Sequence, residues 1–289
     1  MMCQYKKMDI CSNTLEESAM ERRIAIALHD VTVAYDHDGK VRRVLQRIDL
    51  EIAVGETIAL LGGNGSGKST LLQVIAGLAG LSRGTVVRRD EASIVPIVFQ
   101  NPDAQIVGET VYEDICFGLE NMAVLPEQMK ERAREALAAV GLGGYEDVPI
   151  VQLSGGQKQL VCIASAIAMR TPLIVLDEPT AMLDPASKSL MLQLLEQLKR
   201  EGKTVVWATQ SLDEVGYADR VAVLREGMIA FMGSPEEFFY GPNPPCIELG
   251  FRIPYAIALI SELQARGLLL DSKPVRVDDC MEAVSRLCR

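Results

Sequence analysis

The chain has 289 residues, long enough for one large α/β domain with appendages, and carries a net charge of −10 that disfavours nonspecific binding to nucleic acid or to an anionic membrane surface. The longest apolar runs, such as 173–176 and 256–260, fall far short of the ~18 residues that a membrane-spanning helix requires, so the chain is not expected to cross a bilayer by itself. Seven cysteines, at 3, 11, 116, 162, 246, 280 and 288, show no metal-ligand spacing, and Cys116 and Cys162 lie in apolar patterns that read as buried, reduced thiols.

Residues 1–22 are polar, mixed in charge and without an apolar signal core. They read as a flexible extension, in which Met2, Met8 and Met20 leave the biological start open. From Ile24, alternation through IAIAL and VTVAY to IDLEI predicts antiparallel strands. TIALL at 57–61 has the pattern of a strand, and STLLQVIAGL from Ser69 that of a helix. Between them, residues 62–69 read GGNGSGKS, the Gly-four-Gly-Lys-Ser spacing of a phosphate-binding loop.

Glycines 62, 63, 65 and 67 allow the positive φ angles that turn successive N–H groups toward phosphate oxygens, and a helix N-terminus adds a favourable field for an anion. Lys68 then reaches the outer phosphates, and the Ser69 hydroxyl ligates Mg²⁺. The pattern implies a nucleoside triphosphate held by Gly62, Asn64, Gly65, Ser66, Gly67, Lys68, Ser69 and Thr70.

Residues 101–171 carry several helical patterns, including 127–140 before Gly141, and read as a helical lobe. LSGGQ at 153–157 contains a capping box, Ser154 with Gln157, that opens the helix running through KQLVCIASAIAM. Gly155 and Gly156 weaken that first turn unless backbone must approach something closely, as a bare helix N-terminus does when it offers N–H groups to an anion.

LIVLDE at 173–178 is a continuous apolar run that suits a parallel strand buried on both faces, with two acids at the carboxyl end where open α/β sheets bind ligands. Asp177 would serve Mg²⁺, and Glu178, pointing the other way, would polarise an attacking water. TVVWAT at 204–209 reads as a further strand, and after a Pro-rich break at 241–245 the chain ends in a helical tail. Strands alternating with helices indicate an α/β fold with a mostly parallel sheet covered by helices.

The phosphate loop, LSGGQ, LIVLDEP and the following Met182, Leu183 and Asp184 resemble, in order and spacing over roughly 24–235, the nucleotide-binding subunit of an ATP-binding cassette transporter. The resemblance implies a P-loop NTPase core with an antiparallel β subdomain, an inserted helical subdomain over about 101–171, an ATPase domain spanning 23–240 and a small helical extension over 241–289. It further implies ATP hydrolysis in a head-to-tail dimer, homomeric or heteromeric, in which Ser154, Gly155, Gly156 and Gln157 of one subunit close over ATP held by the other. Tyr35 falls where the family stacks a ring on adenine, Gln100 where it senses Mg²⁺ and the attacking water, and Leu183 and Asp184 at its dimer contact.

The stretches QNPD at 100–103, TVYED at 110–114 and FGLEN at 117–121 are similar to ATPases of energy-coupling factor transporters, which import vitamins and metal ions such as cobalt and nickel. LGFRIP at 249–254, followed by an apolar helical pattern, resembles their C-terminal extension. Implied partners are a transmembrane coupling subunit, received near 101–113, and a substrate-binding membrane subunit. No nucleic acid partner is implied, and the expected location is peripheral, at the cytoplasmic face of the cell membrane. One phosphate loop, one LSGGQ and no extended heptads argue against DNA-repair or ribosomal cassettes.

The sequence departs from the family in one place that bears on chemistry. Gln210 stands where a histidine contacts the γ-phosphate, and the only histidines in the chain are His29 and His37. A glutamine amide can donate a hydrogen bond but cannot become cationic, so slowed hydrolysis is expected from the set Lys68, Glu178 and Gln210. The alternative is a hydrolysis-impaired regulatory subunit of a heterodimer. Leu160 and Ser165 replace arginines common in the helix after LSGGQ, which removes their expected bracing.

Overall fold

The protein is described by a computed structural model covering residues 23–37, 40–90, 93–268 and 273–287. The extension expected at 1–22 and Cys3, Cys11 and Cys288 lie outside the described residues. The described residues begin with β1 (Ile24–His37), β2 (Lys40–Ala53), β3 (Thr57–Leu61), α1 (Lys68–Ala76), β4 (Arg83–Arg88) and β5 (Ile97–Val98). Helices α2 (Val111–Asn121), α3 (Pro126–Ala139) and α4 (Gly155–Ala168) follow. Next come β6 (Leu173–Asp177), α5 (Pro185–Arg200), β7 (Thr204–Ala208), β8 (Arg220–Arg225) and β9 (Met228–Gly233). The chain closes with α6 (Pro235–Phe239), α7 (Pro245–Glu248), α8 (Tyr255–Ala265) and α9 (Val277–Leu287).

The first strands form an antiparallel sheet in the order β2-β1-β4. IAIAL and VTVAY share the single strand β1, which is interrupted between them by a left-handed residue, Asp30 (φ 49°), and by a shift of register against β2. The second sheet has six strands in the order β5-β6-β7-β3-β8-β9, all parallel except the antiparallel edge strand β9. Every residue of β3, β6 and β7 is buried, because α1 and the antiparallel sheet cover one face, where helices alone were expected, and α4 and α5 cover the other, leaving no side for a polar alternation.

This order decides where chemistry can occur. β5, β6, β7 and β3 are neighbours in space, and at their carboxyl ends the chain continues into Gln100, Glu178, Gln210 and the loop at 62–67 respectively. Residues far apart in sequence are thereby delivered to one edge of one sheet.

Helices α2, α3 and α4 lie between β5 and β6 and pack together through Ile115, Leu119, Ala133, Leu137 and Val161. Bracing of α4 does not depend on arginines. Leu160 is buried in the apolar contact, and Ser165 Oγ donates to Asp114 Oδ2 at 3.3 Å. Among the described residues the free cysteines Cys116, Cys162, Cys246 and Cys280 are all buried, and burial pushes the Cys162 thiol up to about 12. The C-terminal helices lie against the outer half of the sheet, where Phe238, Phe239, Ile257 and Ile260 share a core with Leu61, Val221 and Val223. No helix among the described residues is long and apolar enough to cross a membrane.

Candidate active site

The loop at 62–67 leaves β3 and ends at α1, whose first turn has neither an acidic residue nor a side-chain cap, so its N–H groups face outward unspent. Gly62 is required by space as well as by its φ of 156°: a Cβ there would stand 2.5 Å from Leu224 O and from Ser66 Oγ. Gly65 and Gly67 also take positive φ, whereas Gly63, expected to share that conformation, does not. Ser66 Oγ is buried with no hydrogen-bond partner among the described residues. Lys68 is buried, and its Nζ spans the loop, donating to Gly62 O at 2.9 Å and Gly63 O at 3.3 Å.

Two acids face this loop from the end of β6. Asp177 is buried, and the Ser69 side chain lies close enough to act on its carboxyl. Burial pushes its carboxyl above the usual range; the Ser69 hydroxyl and the Lys68 charge oppose that shift, while the Glu178 charge adds to it. A hydroxyl and a carboxylate are hard oxygen donors of the kind Mg²⁺ prefers beside phosphates, so this pair fits the cation expected here.

At Glu178 the backbone turns sharply into the left-handed region (φ 48°), and its N–H donates to Ala208 O at 3.0 Å. The Glu178 carboxylate is held at both oxygens: Gln100 Nε2 donates to Oε2 at 3.2 Å, and Gln210 Nε2 donates to Oε1 at 2.6 Å. Lys68 Nζ lies 3.9 Å from Oε1. Lys68, Gln100, Glu178 and Gln210 are therefore one linked cluster, with Ser69 and Asp177 beside it.

Tyr35 and the LSGGQ turn stand outside this linked set. The Tyr35 ring, near the end of β1, is 47% exposed. Ser154 and Gln157 make both halves of the expected capping box, Gln157 N donating to Ser154 Oγ at 3.2 Å and Ser154 N to Gln157 Oε1 at 2.9 Å. Ser154 Oγ serves there only as an acceptor, so its O–H, together with the backbone N–H groups of the glycine turn, is left to meet a ligand. Gly156 also has a reason inside the chain, because a Cβ there would be 3.1 Å from Met182 O; Gly155 faces open space. Asp184 caps α5 by accepting from Ala186 N at 2.9 Å and Ser187 N at 3.1 Å.

Two acids of the stretch 101–113, where a partner was expected to be received, are engaged within the chain. Asp103 pairs with Lys158 at 2.7 Å, and Glu113 accepts from Glu109 N and Thr110 N, both at 3.0 Å, as part of the cap of α2. Conversely, no sequence motif singled out Thr180, Lys188 and Glu214, which meet directly behind Glu178 and Gln210. Nothing short of their partners in space would have found them.

Residues 45–181 match the family model described as ABC transporter. The energy-coupling factor transporter ATP-binding protein EcfA1 of Symbiobacterium thermophilum is 40% identical over 279 residues, an alignment covering 91% of this chain and 97% of that protein. The chain belongs to the energy-coupling factor family of ABC transporter ATP-binding proteins. EcfA1 of Streptococcus mutans is a further relative, 38% identical over 86% of this chain and 92% of its own length.

Among solved structures, cbiO1 from Clostridium perfringens, described as part of the ABC transporter complex cbiONQ, is 33% identical with a TM-score of 0.67, covering 83% of this chain and 99% of that one. The ATP-binding cassette MJ0796, solved as a dimer in a post-hydrolysis state with ADP and Pi, is 29% identical with a TM-score of 0.66, covering 72% and 98%. As an energy-coupling factor ATP-binding protein the chain is an ABC-type ATPase, and the cluster at the carboxyl ends of β5, β6, β7 and β3 is its candidate active site.

Proposed function

We propose that this ATPase is the motor of a membrane importer for a metal ion or a vitamin, acting as a dimer on a transmembrane coupling subunit and a substrate-binding membrane subunit at the cytoplasmic face of the membrane. The observation that carries the catalytic part is the grip of Gln100 and Gln210 on Glu178 beside Lys68. A carboxylate held in this way is aimed before the reaction begins, which is what in-line attack of water on a phosphoryl group needs.

In this reading Lys68 and the N–H groups of 62–70 bind the phosphates, and Glu178 accepts a hydrogen bond from the attacking water. Ser69, Asp177 and the Gln100 side chain would hold Mg²⁺, which neutralises charge on the phosphate oxygens. Tyr35 offers its exposed ring face to adenine, and Ser154 to Gln157 of the opposite subunit complete the site with the N–H groups of their turn. Dimer closure would be passed to the transmembrane subunit beside the loop at 101–113. The exposed Val107 and Phe117, with Tyr112 and Met129, border a cavity of about 560 Å³ there that supports this placing.

Gln210 favours a working motor over a silent regulatory subunit, since its amide is engaged with the catalytic carboxylate. Steady-state ATP hydrolysis by the purified chain tests the reading. Glu178→Gln is expected to lower kcat by roughly 10²-fold or more while ATP binding persists, the scale of loss for a general base. Gln210→His is expected to raise kcat several-fold. A chain that binds ATP yet stays inert until the histidine is introduced would replace the motor reading with the regulatory one.

A further inference from the structure

Behind the Glu178–Gln210 contact, three segments converge on one carboxylate. Glu214 is fully buried in the 3₁₀ turn Leu212–Tyr217, four residues beyond Gln210. Its Oε1 accepts the Thr180 hydroxyl at 2.7 Å and lies 2.8 Å from Lys188 Nζ. Its other oxygen, Oε2, has no hydrogen-bond partner among the described residues, so both ties pass through Oε1.

Each partner leads back to the active site. Thr180 follows Glu178 by two residues in a tight turn, closed by Ala181 N donating to Glu178 O at 3.1 Å. Lys188, in the first turns of α5, also donates to Ser211 Oγ at 3.1 Å, and Ser211 is the residue after Gln210. Ser211 N in turn donates to Thr209 Oγ1 at 3.0 Å, on the other side of Gln210. The loop bearing Glu178 and the loop bearing Gln210 are thus cross-linked through a single buried acid and its lysine.

Burying a carboxylate is costly unless it is paired and hydrogen-bonded, and a well-packed apolar side chain would commonly fill such a site with equal or greater stability. Stability alone therefore gives no reason for an acid here. Geometry does, because directional bonds to three segments fix their relative positions in a way that apolar contact does not.

We propose that Glu214 is a positioning residue for ATP hydrolysis, stapling the Glu178 loop to the Gln210 loop and thereby setting the 2.6 Å contact between those two side chains. The proposal rests on the reading of Glu178 as the group that polarises water. It separates from a merely structural role because its effect must run through the Glu178–Gln210 contact.

The test is single-turnover and steady-state ATP hydrolysis by the full chain carrying Glu214→Gln or Thr180→Val, each alone and in a Gln210→Ala background, with ATP binding and thermal midpoint measured alongside. Glu214→Gln is expected to lower kcat roughly 10- to 100-fold, the scale of loss for a displacement of about 1 Å at a reacting group, with KM for ATP nearly unchanged. In the Gln210→Ala background the same substitution should cost only a small fraction of that factor, since the contact it maintains is already gone. An unchanged kcat, or an equal loss in both backgrounds, would overturn the proposal. If Glu214→Gln fails to fold, Thr180→Val, which removes one hydroxyl and keeps the shape, decides by the same comparison. Retained turnover in a parallel Glu178→Gln sample would instead sink the reading of Glu178, and the proposal with it.

Discussion

At Gly67 the backbone has φ 105°, and a Cβ would stand 2.9 Å from both Leu45 Cδ2 and Val44 O. Alanine there meets conformational strain and a backbone oxygen together. Neither can be relieved by rotating a side chain, because Val44 belongs to β2 and is held in the antiparallel sheet. Gly67→Ala is expected to cost about 1–3 kcal/mol of stability and to abolish ATP binding, read by thermal unfolding and by nucleotide titration. A variant that binds ATP normally would show that the loop does not need this conformation. The loop at 62–67 was legible in sequence because its geometry is local: spacing along the chain sets where its glycines turn and where Lys68 reaches back across it. The position of Gln210 was legible for a similar reason, through its place after a strand. What it touches was not, since its contact with Glu178 depends on β6 and β7 being neighbours. Glu214 and Lys188 carried no signal at all, because a buried acid looks like any surface acid until its partners are known.

Between elements, the join of β3 to β8 carries a further ionisable group. Asp219, just before β8, accepts from Thr57 N at 2.9 Å and Thr57 Oγ1 at 2.7 Å at the start of β3, and pairs with Lys199 of α5 at 2.5 Å. Burial by itself would raise this carboxyl, but the Lys199 ion pair and the two Thr57 bonds outweigh it and hold it below the usual range. A carboxylate whose folded pKa is depressed contributes stability that is present above its unfolded value of about 3.9 and is lost as the pH falls through the folded value. Asp219→Asn is therefore expected to cost roughly 1 kcal/mol near neutral pH, after allowance for solvent screening of a partly exposed pair. The gap in thermal midpoint between variant and parent should narrow below about pH 4 and close at lower pH. A gap that widens on acidification would contradict this assignment. The strands of this join differ in how visible they were. β3, β6 and β7 announce themselves as unbroken apolar runs, whereas β5 has two residues, too few to show any period, and the edge strand β9 is only partly buried.

Across the whole molecule, the C-terminal helices are part of the load on the central sheet. Phe238 packs its ring against Phe231 of β9, Phe239 and Phe251, with centroids 5.3, 5.0 and 5.9 Å away. The segment before α9 is held by Tyr240 Oη, which donates to Pro274 O at 2.5 Å, and by Arg276, which lies 4.4 Å from the Tyr217 ring centroid and pairs with Glu196 of α5. Sequence suggested a small helical tail after the Pro-rich break, but could not indicate that its apolar residues complete a core begun by Leu61, Val221 and Val223. Leu61 immediately precedes the phosphate loop, so this core supports the strand that presents it. Ile260, fully buried on α8, is the residue at which this arrangement can be tested. If the tail and the sheet share one core, Ile260→Ala should lower the stability of the entire chain by about 2–5 kcal/mol, and unfolding should remain a single transition by both near-UV and far-UV signals. If the tail folded as a separate unit, the substitution would split unfolding into two steps, the earlier one confined to the helices after β9 and leaving ATP binding intact.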